Sequence, residues 1–208
     1  MSSKAHVSGS ALVGLVVAAG RSERMGTGRS KLLEPVDGKP LLVWPVEAMC
    51  EAGIDPVLVV TGHDAPAVAE ALADSGCRLV QHEGWAEGMG SSIACGARVA
   101  ARFDLLGLLV CVGDLPGLRS DHVAALLAVF RARDSARDSI VVPTHDGRQG
   151  HPVLFGAAFL PELIALEGDD GGRAILEAHA GAIARVEIAS DAVVRDVDTP
   201  EELAGWRR

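Results

Sequence analysis

Leu12-Val13-Gly14-Leu15-Val16-Val17-Ala18-Ala19-Gly20-Arg21-Ser22-Glu23-Arg24-Met25-Gly26 is the stretch on which the fold turns. Leu12–Ala18 is an unbroken apolar run, the pattern of a strand buried on both faces. A glycine-containing loop follows, then a helical stretch ending near Gly53, then a second apolar run, Val57–Thr61. Buried strand, loop, helix and buried strand in succession are the unit of an α/β fold with a mostly parallel sheet covered by helices on both faces. The apolar run at Leu12–Ala19 falls far short of the roughly 18 to 20 residues of a membrane span. Residues 1–10 lack a charged-then-apolar leader pattern and read as a flexible N terminus ahead of one domain over 11–208. The expectation is a soluble, cytoplasmic protein without a membrane partner.

The alternation continues outward. Pro45 inside the first helical stretch either marks the true helix start or kinks it. Asp64-Ala65-Pro66 opens the next helix with a capping residue and an early proline, and Val68 with Leu72 supplies its inward face. Arg78–Gln81 reads as a short strand, and Leu105–Val112 is the most apolar strand of the chain, ending at Gly113-Asp114. Ser91 and Ser92 are candidate caps of a helix running to about Ala101. Ser120 is the expected cap of another, with Val123, Leu126, Leu127 and Phe130 as its stripe. Ile140–Val142, Pro152–Phe155, Ile183–Ile188 and Val193–Val197 read as later strands. Thr199-Pro200-Glu201-Glu202 is a capping box with proline at the first helical position.

With 208 residues, 49% hydrophobic and 23% charged, the chain suits one large globular domain. Its net charge of -9 argues against a nucleic-acid surface, and 3% aromatics with no tyrosine gives no stacking platform for single strands. The charge is uneven. Residues 1–39 hold Lys4, Arg21, Arg24, Arg29, Lys31 and Lys39 against only Glu23, Glu34 and Asp37, and every lysine of the chain lies there. A basic focus on an acidic protein suggests a compact anionic ligand held locally. Cys50, Cys77, Cys95 and Cys111 form no Cys-x-x-Cys pair, so free thiols are expected. The histidines show no short metal-ligand spacing.

In an open α/β sheet, ligands bind beyond the carboxyl ends of the strands, which is where the Ala18–Gly26 loop falls. Its glycines do not fit Gly-x-Gly-x-x-Gly, and no Gly-Lys-Ser/Thr closes it as a P-loop. It could cradle phosphate on backbone N–H groups with Arg24 and Lys31 as cations, or be a solvated loop with surface bases. Asp114 could project into the crevice and take Mg²⁺ through oxygen, or simply cap the Asp-x-Pro bend. Asp196 and Asp198 share a side if their segment is extended. Ser91 and Ser92 are, on residue chemistry alone, plain helix caps.

Ala18-Ala19-Gly20-x-Ser22-x-Arg24-Met25-Gly26 with Lys31-Leu32-Leu33 is similar to the signature of MobA-like nucleotidyltransferases, especially the molybdenum cofactor cytidylyltransferase branch. Gly88-Met89-Gly90-Ser91-Ser92, Gly113-Asp114-Leu115-Pro116, Gly150-His151-Pro152, Gly168-Asp169-Asp170-Gly171-Gly172-Arg173 and Asp196-Val197-Asp198-Thr199-Pro200 follow in the order that family shows them. The resemblance implies a single-domain, Rossmann-like three-layer α/β/α fold and a Mg²⁺-dependent transfer of CMP from CTP to the terminal phosphate of the molybdopterin molybdenum cofactor, with pyrophosphate leaving. A molybdenum-containing dehydrogenase would then receive the product. It implies nucleotide contacts at Ala18, Ala19, Gly20, Arg24, Lys31, Gly90, Ser91 and Ser92, with Arg24, Lys31 and Asp114 in catalysis. It places metal on Asp114 and Asp198, leaving Asp196 structural, and acceptor contacts at Arg148, His151 and Arg173. Leu115 departs from the glutamine common after the aspartate. Ala19 stands where guanylyltransferase relatives have glycine, and its methyl would narrow the space beside the base in favour of cytosine. Rival readings are a guanylyltransferase, a transferase for another phosphorylated acceptor, and a non-catalytic cofactor carrier.

Overall fold

The computed structural model describes residues 11–20 and 30–206. In chain order its elements are β1 (Ala11–Ala18), β2 (Pro35–Val36), β3 (Lys39–Pro40), α1 (Val43–Glu51), β4 (Val57–Thr61), α2 (Ala65–Ala71), β5 (Arg78–Gln81), α3 (Met89–Ala100), β6 (Leu105–Val112) and α4 (Ser120–Arg131), followed by β7 (Ile140–His145), β8 (Arg148–Gln149), β9 (Val153–Gly156), α5 (Leu160–Ile164), α6 (Arg173–Ala178), β10 (Ile183–Glu187) and α7 (Pro200–Ala204). The main sheet runs β10-β7-β9-β6-β1-β4-β5, with β8 paired to β7. β1 lies parallel to both β4 and β6, β4 parallel to β5, and β10 parallel to β7. Only β9, between β6 and β7, runs against its neighbours in the main path.

Strand periodicity sorts the core into two layers. Leu12, Val16 and Ala18 of β1 join Val46 and Met49 of α1 and Leu126 and Phe130 of α4. Val13 and Leu15, one step out of phase, join Ile93, Ala97 and Ala100 of α3, Leu163 of α5 and Ile175 of α6. The result is the single-domain α/β/α layering expected. Each such buried valine, leucine, isoleucine, methionine or phenylalanine contributes about 1.5 to 3 kcal/mol of transfer free energy. Gly96 lets α3 approach the sheet closely, since a Cβ there would collide with the Leu15 side chain and lie 2.9 Å from Val60.

Several local expectations change. Pro45 sits in the first turn of α1, so it marks the helix start. Asp64 precedes α2 in a left-handed conformation and makes no side-chain cap; its Oδ2 instead accepts the Ser30 N–H at 2.8 Å. Ser120 is the first residue of α4, where the Arg119 N–H donates to His122 Nδ1 at 3.3 Å. Ser91 and Ser92 lie inside the first turn of α3, whose cap is Gly88, and their hydroxyls donate back to the Gly88 carbonyl at 2.8 and 3.3 Å. Residues 193–197 are not a strand. A 3₁₀ turn at Asp191–Val193 leads into a segment whose backbone partners come from loops: Val193 O accepts from His151 N at 2.8 Å, and Val197 N donates to Asp114 O at 3.1 Å. The capping box at Thr199–Glu202 forms as read. Among the described residues no helix is long and apolar enough to cross a membrane.

Candidate active site

From β1 the chain moves to β4 on one side and, later, to β6 on the other, so the sheet order reverses between β1 and β6. The crevice beyond their carboxyl ends is the natural ligand position of such a sheet. A cavity of about 710 Å³ opens there, lined by residues that include Ala18, Gly20, Lys31, Trp85, Asp114 and Asp198. Gly113 N donates to Val17 O at 3.2 Å, which holds the turn bearing Asp114 against β1.

Lys31 stands on a 3₁₀ turn at Lys31–Leu33 that Ser30 caps through its hydroxyl, which accepts the Leu32 N–H at 3.4 Å. Its Nζ is 2.7 Å from Asp114 Oδ2 and 2.7 Å from Asp198 Oδ1. The Lys31 side chain is 12% exposed, Asp114 15% and Asp198 36%. Burial alone would lower the Lys31 pKa, but the two carboxylates outweigh it and hold the ammonium above its ordinary range. The Asp198 backbone is fixed by the α7 cap, because Glu202 Oε2 accepts the N–H groups of Asp198 at 2.7 Å and Thr199 at 3.0 Å.

Asp196 joins this group, although the resemblance left it structural. Carboxylate oxygens of Asp114, Asp196 and Asp198 lie within 4.8 Å of one another. The signal was in the sequence: on extended backbone, residues two apart share a face. Burial and repulsion from Asp114 raise the Asp196 carboxyl above the usual carboxylate range. Asp114 Oδ1 is buried with no hydrogen-bond partner among the described residues. Three hard oxygen donors, one of them orphaned, fit a divalent cation such as Mg²⁺ or Mn²⁺. His151 is in the same neighbourhood. Burial keeps its imidazole below the usual histidine range against the opposing charges of Asp114 and Asp196, and its Nδ1 is also a buried atom without a partner among the described residues.

The other expected site residues divide. Ala18 and Gly20 line the cavity, as does Ser92. The Ala19 methyl is buried in the core layer shared with α3 and is not among the side chains that line the cavity. Gly90 and Ser91 are turned to other partners: the Gly90 N–H donates to Gly168 O at 2.7 Å, and Ser91 Oγ meets His82 Nε2 at 3.0 Å. Arg148 and Arg173 do not reach the cavity lining. Arg148 Nη2 donates to Val194 O at 3.3 Å and Arg173 pairs with Glu177 at 2.8 Å on the surface. Arg24 and the N terminus at 1–10 lie outside the described residues.

Comparison with known proteins bears on this geometry. The profile of the MobA-like NTP transferase domain matches residues 14–183. Nicotine blue oxidoreductase of Paenarthrobacter nicotinovorans is 31% identical over 195 residues, covering 92% of this chain and 94% of that protein. The bifunctional protein GlmU of Pelobacter propionicus is 38% identical over 122 residues, 59% of this chain, and the match spans only 26% of its length. A crystal structure of Rv0371c from Mycobacterium tuberculosis in complex with manganese superposes with a TM-score of 0.76 at 25% identity, over 95% of this chain and 98% of that one.

Proposed function

The chain belongs to the MobA-like NTP transferase family and is a nucleotidyltransferase, and from that premise we propose that it transfers CMP from CTP to the terminal phosphate of the molybdopterin molybdenum cofactor, releasing pyrophosphate. The observation that carries this reading is the Lys31 ammonium held between Asp114 and Asp198, with the other Asp114 oxygen buried and without a hydrogen-bond partner among the described residues, at the switch point of the sheet. Such an arrangement serves charge neutralisation, the main requirement when one phosphate attacks another. CTP and the molybdopterin acceptor follow from the likeness of Ala18-Ala19-Gly20 and the later motif blocks to the cytidylyltransferase branch.

Asp114, Asp198 and the adjacent Asp196 would hold the divalent cation, Mg²⁺ by preference; the manganese in Rv0371c supports the class of metal. When bound, the ion supplies Lewis-acid polarisation of phosphoryl oxygens and screening of their charge. Lys31 adds a second positive centre beside the same carboxylates, and the likeness to the family assigns Arg24 to the triphosphate. Gly20, exposed at the end of β1, contributes backbone at the cavity wall. No protein base is needed: the second pKa of a phosphomonoester is about 6, so the acceptor phosphate is mostly dianionic at neutral pH and needs orientation. Arg148, His151 and Arg173 are assigned to the acceptor side by the same likeness. Of these, His151 alone has an interaction with the Asp114 and Asp196 charges behind it.

Pyrophosphate release with CTP and with GTP, each with and without purified molybdenum cofactor, tests the proposal. Release that requires CTP and the cofactor supports it. Release with GTP or with another phosphorylated acceptor moves the enzyme to a sister activity, and cofactor binding without release would make it a carrier. Hydride transfer without pyrophosphate release, as the name of the nicotine blue relative suggests for that protein, would remove the transferase reading of the site.

A further inference from the structure

The cavity wall that carries Trp85, Gly88 and Met89 is pressed against a second segment, residues 167–172. Gly88 has φ +120, and a Cβ there would collide with Gly168 O and lie 2.5 Å from Asp169 Oδ1. A Cβ on Gly90 would lie 2.6 Å from Glu167 O and 2.9 Å from Asp170 O. Glycine at both positions therefore lets one backbone lie directly on the other. The Gly90 N–H donation to Gly168 O fastens the two and consumes one of the free amides that open α3. Gly168 and Gly172, left-handed at φ +58 and +84, turn the segment in and out again.

One consequence is that the Asp169 carboxylate is delivered to the same cavity as Trp85 and Met89. Trp85 is fixed from behind, because a Cβ on Gly62 would lie 2.5 Å from the Trp85 Cβ, and the His63 ring stands 5.4 Å from the indole. Met89 is 42% exposed, unusual for so large an apolar side chain in this protein. An indole, a flexible thioether and a carboxylate on one wall match a planar heterocycle that offers N–H donors at its edge. We propose that Asp169 is a specificity-determining residue that accepts hydrogen bonds from ring or exocyclic N–H groups of a substrate heterocycle, with Trp85 and Met89 as its apolar contact surface. This rests on the nucleotidyltransferase reading. The heterocycle is either the base of the triphosphate or that of the acceptor, and a carboxylate favours an amino edge over a carbonyl edge in both.

Calorimetric binding of CTP, UTP and purified molybdenum cofactor to the full chain, in Mn²⁺, tests this with Asp169→Asn and Asp169→Ala. An amide keeps the size but offers N–H as well as C=O, so it tolerates a carbonyl edge. If Asp169 meets the triphosphate base, D169N lowers the CTP-over-UTP affinity ratio by about tenfold. If it meets the acceptor, that ratio holds and cofactor affinity falls by about tenfold in both variants. Ratios and affinities all within twofold of wild type, in variants with unchanged unfolding midpoints, would overturn the proposal. Because binding is read without turnover, lack of pyrophosphate release would sink the transferase reading and leave this result standing.

Discussion

Asp114 gathers most of what a single residue can contribute here. It follows the most apolar strand, pairs with Lys31 through one oxygen and leaves the other buried without a partner among the described residues. Asp114→Asn keeps the volume and removes the charge. Turnover is expected to fall at least about a hundredfold, the scale of losing several kcal/mol of charge stabilisation, while the fold survives. Pyrophosphate release and thermal unfolding on the same sample check both halves, and near-normal release would take Asp114 out of the metal site. Asp114 was legible as a candidate because it stands at the end of the most apolar strand, and Lys31 and Asp198 because they fall in motif blocks of the family the chain resembles. Asp196 was left structural because the resemblance puts the second metal carboxylate at Asp198, and it is the distance to Asp114 that brings it into the group. Ala19 is the opposite case: the motif marks the position, while a strand end alternates its faces, and the methyl packs on the core side.

At the scale of elements, apolar runs and turn chemistry located β4, β5 and β6 to the residue, since runs bounded by Asp, Gly and Pro leave little freedom. Serines were misleading as helix starts, because a hydroxyl bonded back to a carbonyl inside the first turn is as well satisfied as one at a cap. Val193–Val197 misled as a strand because burial between loops selects the same residues as a sheet does. The α7 capping box gives a signed pH effect. Glu202 sits below its ordinary range because it accepts the backbone N–H groups of Asp198 and Thr199. A depressed carboxyl contributes stability that is whole above its unfolded pKa and lost as pH falls through the folded value. The unfolding midpoint of wild type should therefore exceed that of Glu202→Gln by a constant margin above about pH 5, the margin vanishing in more acid solution. Thr199→Ala should cost about 1 kcal/mol at neutral pH. A margin that grows toward acid pH would contradict the cap. Gly96→Ala tests the closeness of α3 to the sheet: helix propensity favours alanine, yet the Leu15 collision should dominate and destabilise by about 1 to 3 kcal/mol in denaturant titration.

Across the whole molecule, the site joins three distant parts of the chain: Lys31 on the turn after the first loop, Asp114 after the sixth strand and Asp198 before the last helix, Lys31 and Asp198 being 167 positions apart. The sequence order of motifs implied this convergence, because a sheet that reverses direction beside β1 must bring its first and middle strand ends together. The antiparallel β9 was not legible, since an apolar strand buried on both faces has the same composition in either direction. Convergence also makes stability and metal binding interdependent. With Lys31 in place, its ammonium offsets two carboxylates that are at most partly exposed to water. Lys31→Ala leaves three neighbouring carboxylates without that cation, and removal of one partner from a pair this sheltered costs on the order of 3 to 5 kcal/mol, somewhat less where Asp198 meets solvent. A divalent cation held by the same oxygens in the folded chain alone would restore the missing charge. At a hundred times its dissociation constant it returns about 2.7 kcal/mol. The unfolding temperature of Lys31→Ala should thus lie well below wild type in chelator and rise more steeply than wild type as Mg²⁺ or Mn²⁺ is added, whereas Asp114→Asn should respond weakly. Equal metal responses in all three proteins, followed by thermal denaturation across a metal titration, would show that Lys31 and the cation do not share the carboxylates.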